Sequence, residues 1–486
     1  CYNPIMATRL STIKDIRLKK LQELKQKGVN PFPPDFERSH VIAEARNLSG
    51  KKVSIAGRIV ALREHGKIIF ADISDESGKI QALLRPDDLG DGFSLVEFLD
   101  LGDFVGVTGE IVTTRTGEIT VQAKEIKLLS KALRPLPSMW HGLKDVDERF
   151  RKRYLDTLLN PEVKKLLDAR WKIEQETRKY LWSLGFVEVE TPVLQPLYGG
   201  TNARPFNTHM NALDQDFYLR VAPELYLKRL IVGGYEKVFE IARNFRNEGI
   251  DTTHQPEFTM MEWYEAYADY QRVMDVAEGL MKHLVTALTG STKIKVGDHE
   301  VDLSGKWPRI PMVTLVKKHL DIDYDTVSDN ELKELLKKNN LKIEGVWSKG
   351  LAFFTLFDHL ISHKLIEPTW VIDYPKEVSP LSKQHRNDDR FVERFEGYIG
   401  GKEIFDGWSE INDPLDQRSR FENEQKNLKA GNDEAQPTDE DFLEALEYGM
   451  PPLGGIGIGI DRLVMFLTNT WSIRETIAFP TLKLKI

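Results

Sequence analysis

The chain has 486 residues, 41% hydrophobic and 29% charged, a balance that suits a globular protein of two or three domains with ample core. No apolar run approaches the roughly 20 residues needed to cross a membrane. The only cysteine is Cys1, which excludes disulfides and a cysteine-ligated zinc site and makes a reducing cytoplasm the expected home. The net charge of −8 argues against a polyanionic partner for the chain as a whole, although a local basic patch, not the average, is what binds phosphate.

Cys1 to Ile5 precede Met6 and read as an expression scar (residues 1–5). The stretch from Met6 to Thr12 has neither the apolar core of a secretory signal nor an arginine-rich transit segment. Ile13, Ile16, Leu21 and Leu24 recur at helical spacing up to Gly28, and Asn30-Pro-Phe-Pro-Pro34 then breaks the chain, so residues 6–50 are expected to be a helix and linker. The basic residues between Arg9 and Lys27, like the triplet Arg151 to Arg153, suit either a phosphate-binding patch or a solvated helix face.

From residue 51 to 132 the pattern becomes short alternating runs, predicting strands over 53–62, 67–73, 79–84, 103–112 and 118–129. A helix-like piece, Gly92 to Asp100, lies between the third and fourth. Five strands with a helix after the third is the pattern of an OB-fold β-barrel, a fold that binds single-stranded nucleic acid by stacking bases on aromatic rings. Phe70, Gln81 and Glu118 are candidate readers on strands two, three and five, although each also suits core or surface, and a ring placed like Phe70 within Ile-Ile-Phe-Ala-Asp-Ile is more often core. Residues 133–155, which open on proline-rich Leu133 to His141, read as an interdomain linker. The larger domain, 156–486, opens on an amphipathic helix at 161–184 and contains a helix-rich insertion near 270–370. Segment 422–440 is polar and expected to be exposed.

Two segments of this domain carry the chemistry. Arg243 to Phe258, RNFRNEGIDTTHQPEF, is flanked by apolar runs and reads as strand, loop, strand, offering guanidinium groups for phosphate oxygens and an aromatic face for a base. A salt-bridged hairpin tip is the bland alternative. Gly454 to Arg462, GGIGIGIDR, alternates glycine with isoleucine, as a strand does when a backbone or flat ligand must approach it closely. It fits neither a dinucleotide fingerprint nor a Walker loop, and a buried glycine-rich strand without a ligand remains open.

Together these segments closely resemble motifs 2 and 3 of the class II aminoacyl-tRNA synthetases, and Gly185 to Leu194, GFVEVETPVL, resembles the end of motif 1 with Pro192 at the family's proline. The resemblance implies an α+β architecture: an N-terminal OB-fold barrel, then a catalytic domain built on an antiparallel sheet with flanking helices. It also implies a homodimer and activation of an amino acid by ATP before transfer to tRNA. Arg246 and Arg462 match the catalytic, phosphate-facing arginines. Glu248, His254 and Phe258 match the rest of the ATP-binding loop, with Phe258 stacked on adenine. Glu396 and Glu403 match the acids that hold Mg2+, with Glu403 also on the ATP side, and their spacing on hairpin-like strands suits two groups facing one ligand. Phe70, Gln81 and Glu118 match anticodon-binding positions.

The branch of the family with an N-terminal OB-fold serves lysine, aspartate and asparagine, whose pockets must differ in charge. Here Glu224, Glu262 with Tyr264, and Glu410 supply acids for an ammonium and would repel a substrate carboxylate, so the expected substrates are L-lysine, ATP and tRNA(Lys). Arg246 also matches the group that holds the lysine carboxylate. One departure stands out: Asp406 and Trp408 occupy positions where the lysine enzymes usually carry Asn and Phe or Tyr. Asp406 would add negative charge to the lysine pocket or alter the metal's surroundings. Rival readings are an aspartyl or asparaginyl relative, a paralogue that modifies a protein with a lysine-like group, and a catalytically inert OB-type nucleic-acid-binding protein.

Overall fold

Alternation of small and β-branched residues closes the N-terminal unit into a barrel in the computed structural model, which describes residues 4–137, 143–343, 347–379, 382–429 and 436–485. Cys1 to Asn3 of the expected scar, part of the 133–155 linker and residues 430–435 therefore lie outside the described residues. The chain divides into two compact units, residues 1–142 and 143–486.

In the first unit, helix Pro4–Gln26 ends at Gly28, whose φ of +75° is the left-handed conformation glycine adopts most readily. Its buried face differs from the spacing argument. Ile16 is exposed, while Arg17 is buried and donates to the carbonyls of Leu101, Ala132 and Arg134. A guanidinium can satisfy several carbonyls at once, which an isoleucine cannot. The barrel consists of β1 (Lys52–His65), β2 (Ile68–Ser74), β3 (Lys79–Leu84), β4 (Phe104–Thr113) and β5 (Ile119–Ser130), closed in the order β1-β2-β3-β5-β4. Every pair is antiparallel except β3 with β5. The piece after β3 is a short α-turn, Pro86–Leu89, running into a 3-10 helix, Gly90–Phe98, which sets Leu89, Val96 and Phe98 on the barrel core.

The second unit begins its long elements with helix Pro161–Ser183. After β6 (Val187–Glu188), a small sheet forms from β7 (Leu194–Gln195), β8 (Phe206–Met210) and β9 (Gln215–Leu219). Helix Glu224–Val232 leads to β10 (Lys237–Phe245) and β11 (Glu257–Ala266), then helix Tyr270–Thr289 and the hairpin of β12 (Lys293–Val296) and β13 (His299–Asp302). The remaining strands are β14 (Arg309–Pro311), β15 (Thr369–Pro375), β16 (Phe391–Ile399), β17 (Lys402–Ser409) and β18 (Leu453–Gly459), the last followed by helix Ile460–Leu467.

Eight of these strands form one sheet in the order β14-β15-β16-β17-β18-β11-β10-β6. Its pairs are antiparallel except at the two edges, β10 with β6 and β14 with β15, so the sheet is mixed at its margins. Helix Tyr270–Thr289 packs a continuous apolar stripe, including Val273, Leu280 and Leu284, onto it with Trp263, Trp370 and Phe395. The insertion is built from helices Met312–Leu320, Asp329–Lys338 and Lys349–Leu360 around Phe353, Phe357 and Tyr374. Residues 422–429 continue helix Pro414–Lys429, with Glu424 buried, so this part of the polar segment is not a free loop. Among the described residues, no helix is long and apolar enough to cross a membrane.

Candidate active site

Strand register builds the site. In β18, Gly455 pairs with Tyr264 of β11 and Trp408 of β17, and Gly457 pairs with Glu262 and Asp406. Two rows of functional side chains thus flank a strand that carries none, and the bare strand floors a pocket of about 290 Å³. The two glycines leave room for different things. A Cβ at Gly455 would collide with Glu410 Oε1 and the Tyr264 ring, whereas one at Gly457 would meet Met260 Cε at 3.2 Å. The pocket is lined by Glu224, Arg246, Glu248, His254, Phe258, Glu262, Tyr264, Glu403, Asp406, Trp408, Glu410 and Arg462.

At one end lies the loop between β10 and β11. The Arg246 guanidinium sits 5.0 Å from the centre of the Phe258 ring, and its Nε is buried without a hydrogen-bond partner among the described residues. Burial lowers the Arg246 pKa from its ordinary value, against the pull of Glu248 and Glu262. Arg462, at the start of helix Ile460–Leu467, donates through Nη2 to His254 Nε2 at 2.9 Å. His254 Nδ1 is then left to donate to Asp251 Oδ2 at 2.8 Å. Asp251 also accepts from the backbone of Thr253 and His254, and these bonds hold its carboxyl well below the usual range. Glu248 is exposed on the same loop. Two cations, an aromatic face and an open floor suit a nucleotide triphosphate.

The acids on β16 and β17 differ from expectation. A register shift after Gly397 places Glu403 opposite Tyr398, and Glu396 pairs with Asp406. Glu403 lines the pocket and Glu396 does not. Both oxygens of Glu396 are engaged: Oε1 by Arg394 at 2.8 Å, Oε2 by the hydroxyls of Tyr374 at 2.7 Å and Tyr398 at 2.5 Å. The two glutamates therefore do not face one ligand equally. Glu403 opens onto the cleft yet has protein around most of it; that burial, then the charges of Glu396 and Asp406, push its carboxyl up to about 8. Such excess negative charge is the environment a hard cation relieves. Among the described residues, no three His, Cys, Asp or Glu side chains are grouped to hold a metal ion, but Mg2+ commonly needs only one or two carboxylates beside phosphate oxygens. Asp406 is not a free acid either, because Arg394 donates to both its oxygens at 2.8 and 2.9 Å. The extra charge expected in the pocket is matched inside the wall.

At the other end, Glu224, Glu262 and Glu410 are all buried. Tyr264 donates to Glu262 Oε2 at 3.0 Å, and Trp408 Nε1 donates to Glu410 Oε2 at 2.9 Å. Burial and the nearby Glu224 push Glu262 up to about 8; burial pushes Glu410 up to about 7, with a neighbouring ammonium pulling it down. That ammonium is Lys228, 2.5 Å from both Glu224 Oε1 and Glu410 Oε2. Lys228, with Arg246 farther off, offsets part of this charge, and three carboxyls against these two cations leave the end acidic.

In the barrel, Ala71, Ile73, Ile80 and Ala82 point inward, so Phe70 and Gln81 are on the outer face and half-buried. Phe70 is therefore not core. Pairing of Phe70 with Leu83, Asp72 with Gln81, and Gln81 with Thr120 sets the candidates diagonally across one surface. Glu118 is exposed and lies one residue before β5, not within it.

Residues 145–483 match the family model of class II tRNA synthetases for D, K and N, and residues 53–129 match the OB-fold nucleic acid binding domain. The lysine–tRNA ligase of Thermoanaerobacter sp. (strain X514) is 48% identical over 483 residues, 98% of this chain and 97% of the relative. The lysine–tRNA ligase of Oceanobacillus iheyensis is 48% identical over 496 residues, 99% and 100% respectively. The chain belongs to the lysine–tRNA ligase family. Its class II membership explains the antiparallel sheet core with motifs on adjacent strands.

Three pocket features of this ligase were not foreseen from sequence. Lys228 follows Glu224 by one helical turn, a spacing that places the two on one face and could have been read as an ion pair. Gln255 lines the pocket with both amide atoms buried and unpartnered among the described residues, a donor and an acceptor for the edge of a planar ligand. Asp461, beside Arg462, accepts from Thr259 N at 2.7 Å and from Arg170, tying β11 to helix Pro161–Ser183. The local signal for the glutamine was its place between His254 and Pro256.

Proposed function

We propose that this enzyme activates L-lysine with ATP and transfers it to the 3′ end of tRNA(Lys). The observation that carries the reading is the surplus of buried carboxyls at one end of a pocket whose other end presents Arg246, Arg462 and Phe258. An ammonium fits the first end, and a substrate carboxylate would be repelled there.

In the first step the lysine carboxylate attacks the α-phosphorus of ATP, an acyl–phosphate bond forms and pyrophosphate leaves. The two reacting groups are both anionic, so positioning and cationic charge lower the barrier. Arg246 bridges the carboxylate and the α-phosphate, with Phe258 under adenine. Arg462 exchanges His254 for the outer phosphates, and Glu248 and His254 border the triphosphate. Glu224, Glu262 with Tyr264, and Glu410 with Trp408 take the lysine end. Asp406, paired with Arg394, shapes the wall between the two ends. Glu403, with Glu396 behind it, would hold Mg2+, and the ion, when bound, would supply positive charge to the phosphates. In the second step the terminal ribose hydroxyl of tRNA displaces AMP.

Phe70, Gln81 and Glu118 read the anticodon, Phe70 by stacking. A homodimer accords with the exposed apolar side chains Trp171, Trp182, Val187, Val193 and Leu194 on and after helix Pro161–Ser183. The cytoplasm, where tRNA and ATP meet, is the proposed location. Amino-acid-dependent ATP–pyrophosphate exchange, run without tRNA across all twenty amino acids, tests the reading. Exchange with lysine alone supports it. Exchange with aspartate or asparagine, or with none, refutes it.

A further inference from the structure

The buried cation behind the amine end is absent from the pocket lining, yet it touches two of the acids that form it. Lys228 stands between Glu224 Oε1 and Glu410 Oε2, 2.5 Å from each, and is itself buried. The same Glu410 oxygen also accepts from Trp408 Nε1 at 2.9 Å. The remaining oxygens point elsewhere: Glu224 Oε2 lies toward Gly200 and Glu410 Oε1 toward Gly455, and both glycines line the pocket. Among the described residues, one oxygen of each acid is thus tied inward and the other has no hydrogen-bond partner.

Resting on the lysine reading above, we infer that Lys228 is a positioning residue for lysine recognition, favouring the ionised form of Glu410 and aiming one oxygen each of Glu224 and Glu410 toward the substrate ammonium. Two carboxyls held around one point cannot both stay ionised without a counter-ion, and one of them would retain a proton. A protonated acid attracts an ammonium far less. The groups facing this centre are Glu224 from its own helix, Glu262 and Tyr264 from β11, Glu410 and Trp408 at the end of β17, and Arg246 from the neighbouring loop. Lys228 is the cation that contacts Glu224 and Glu410 directly, and its Nζ is also 5.6 Å from the Tyr264 ring centre. Burial already pushes Glu410 up to about 7 with Lys228 in place, so losing the ammonium moves it higher still.

The test is kcat/KM for lysine against pH in ATP–pyrophosphate exchange, with wild type, Lys228→Met and Lys228→Arg. In Lys228→Met the acidic limb is expected to move up by about one pH unit or more, and the lysine KM near neutrality to rise by about tenfold or more. The defect should shrink as pH rises, because Glu410 ionises again, while the ATP KM stays near wild type. Lys228→Arg should restore the limb. An unmoved limb and lysine KM in Lys228→Met would overturn the inference, as would a loss that ignores pH and raises both KM values together. Should Lys228→Met not fold, Trp408→Phe removes the other donor to the same oxygen; a smaller upward shift supports the inference and none overturns it. Wild type without lysine-dependent exchange is a separate result: it refutes the lysine reading itself and removes the basis of the inference.

Discussion

Replacing Arg246 by alanine separates a reactive cation from a structural one. Its Nε is buried and unpaired, and among the described residues its side chain donates no hydrogen bond; its visible contact is with the Phe258 ring. Losing a cation–π contact costs about 0.5–1 kcal/mol, and removing an unpaired buried donor returns about the same or more, so folding stability should change by about 1 kcal/mol or less. Catalysis should suffer far more. A preorganised donor aimed at developing charge is worth about 10²–10³ in kcat, or about 2.7–4 kcal/mol. Lysine in its place keeps charge without the planar fork and should recover only part of the rate. ATP–pyrophosphate exchange under saturating lysine and ATP reads kcat, and thermal unfolding reads stability. Exchange within a few-fold of wild type would refute the assigned role. A melting point depressed as much as by a core deletion would show that Arg246 holds the fold instead.

Glu410→Gln removes one charged partner of the substrate amine; a charge-assisted hydrogen bond is worth about 1.5–3 kcal/mol, so the lysine KM should rise about 10- to 100-fold with little change for ATP, and equal rises for both would refute the assignment. Lysine binding should release protons near neutral pH. Glu262 and Glu410 titrate at about 8 and about 7 in the free site, and an ammonium favours their ionised forms, so net proton uptake in calorimetry across two buffers would contradict this. Asp406→Asn weakens the partly exposed Arg394 pair by roughly 1 kcal/mol while leaving the lysine KM nearly unchanged; a large rise would make Asp406 a direct lysine ligand. Phe70→Ala should slow tRNA charging through lost stacking, worth about 1–3 kcal/mol, yet spare adenylate formation, and equal loss of both would remove Phe70 from anticodon reading.

The strands of the barrel were legible because alternation with inward Ile, Val and Ala is a local signal, and β3, Lys79–Leu84, coincides with its predicted span. The loop between β10 and β11 and the glycine strand were legible for a similar reason, since their special residues are contiguous. What the sequence concealed was lateral. That both oxygens of Glu396 are already taken depends on Tyr374, Tyr398 and Arg394 meeting across two strands, and the bulge after Gly397 cannot be read from one strand alone. Asp406 looked like added negative charge until its partner Arg394, twelve residues earlier, appeared beside it. Arg17 misled for the opposite reason: periodicity ranks a charged residue as outward, and only the carbonyls waiting on the barrel explain its burial.

Gly455 has a consequence for how this pocket can change. Its Cβ position is already occupied by Glu410 Oε1 and the Tyr264 ring, so the two groups that define the amine end borrow volume from a residue with no side chain. A library that varies only the acids and aromatics would explore shapes that still depend on this vacancy. A library that fills it would displace the acids before any new substrate was met. Substrate preference in this site is therefore inherited through the backbone, and a route to a different amino acid must keep the glycine while rewriting everything around it.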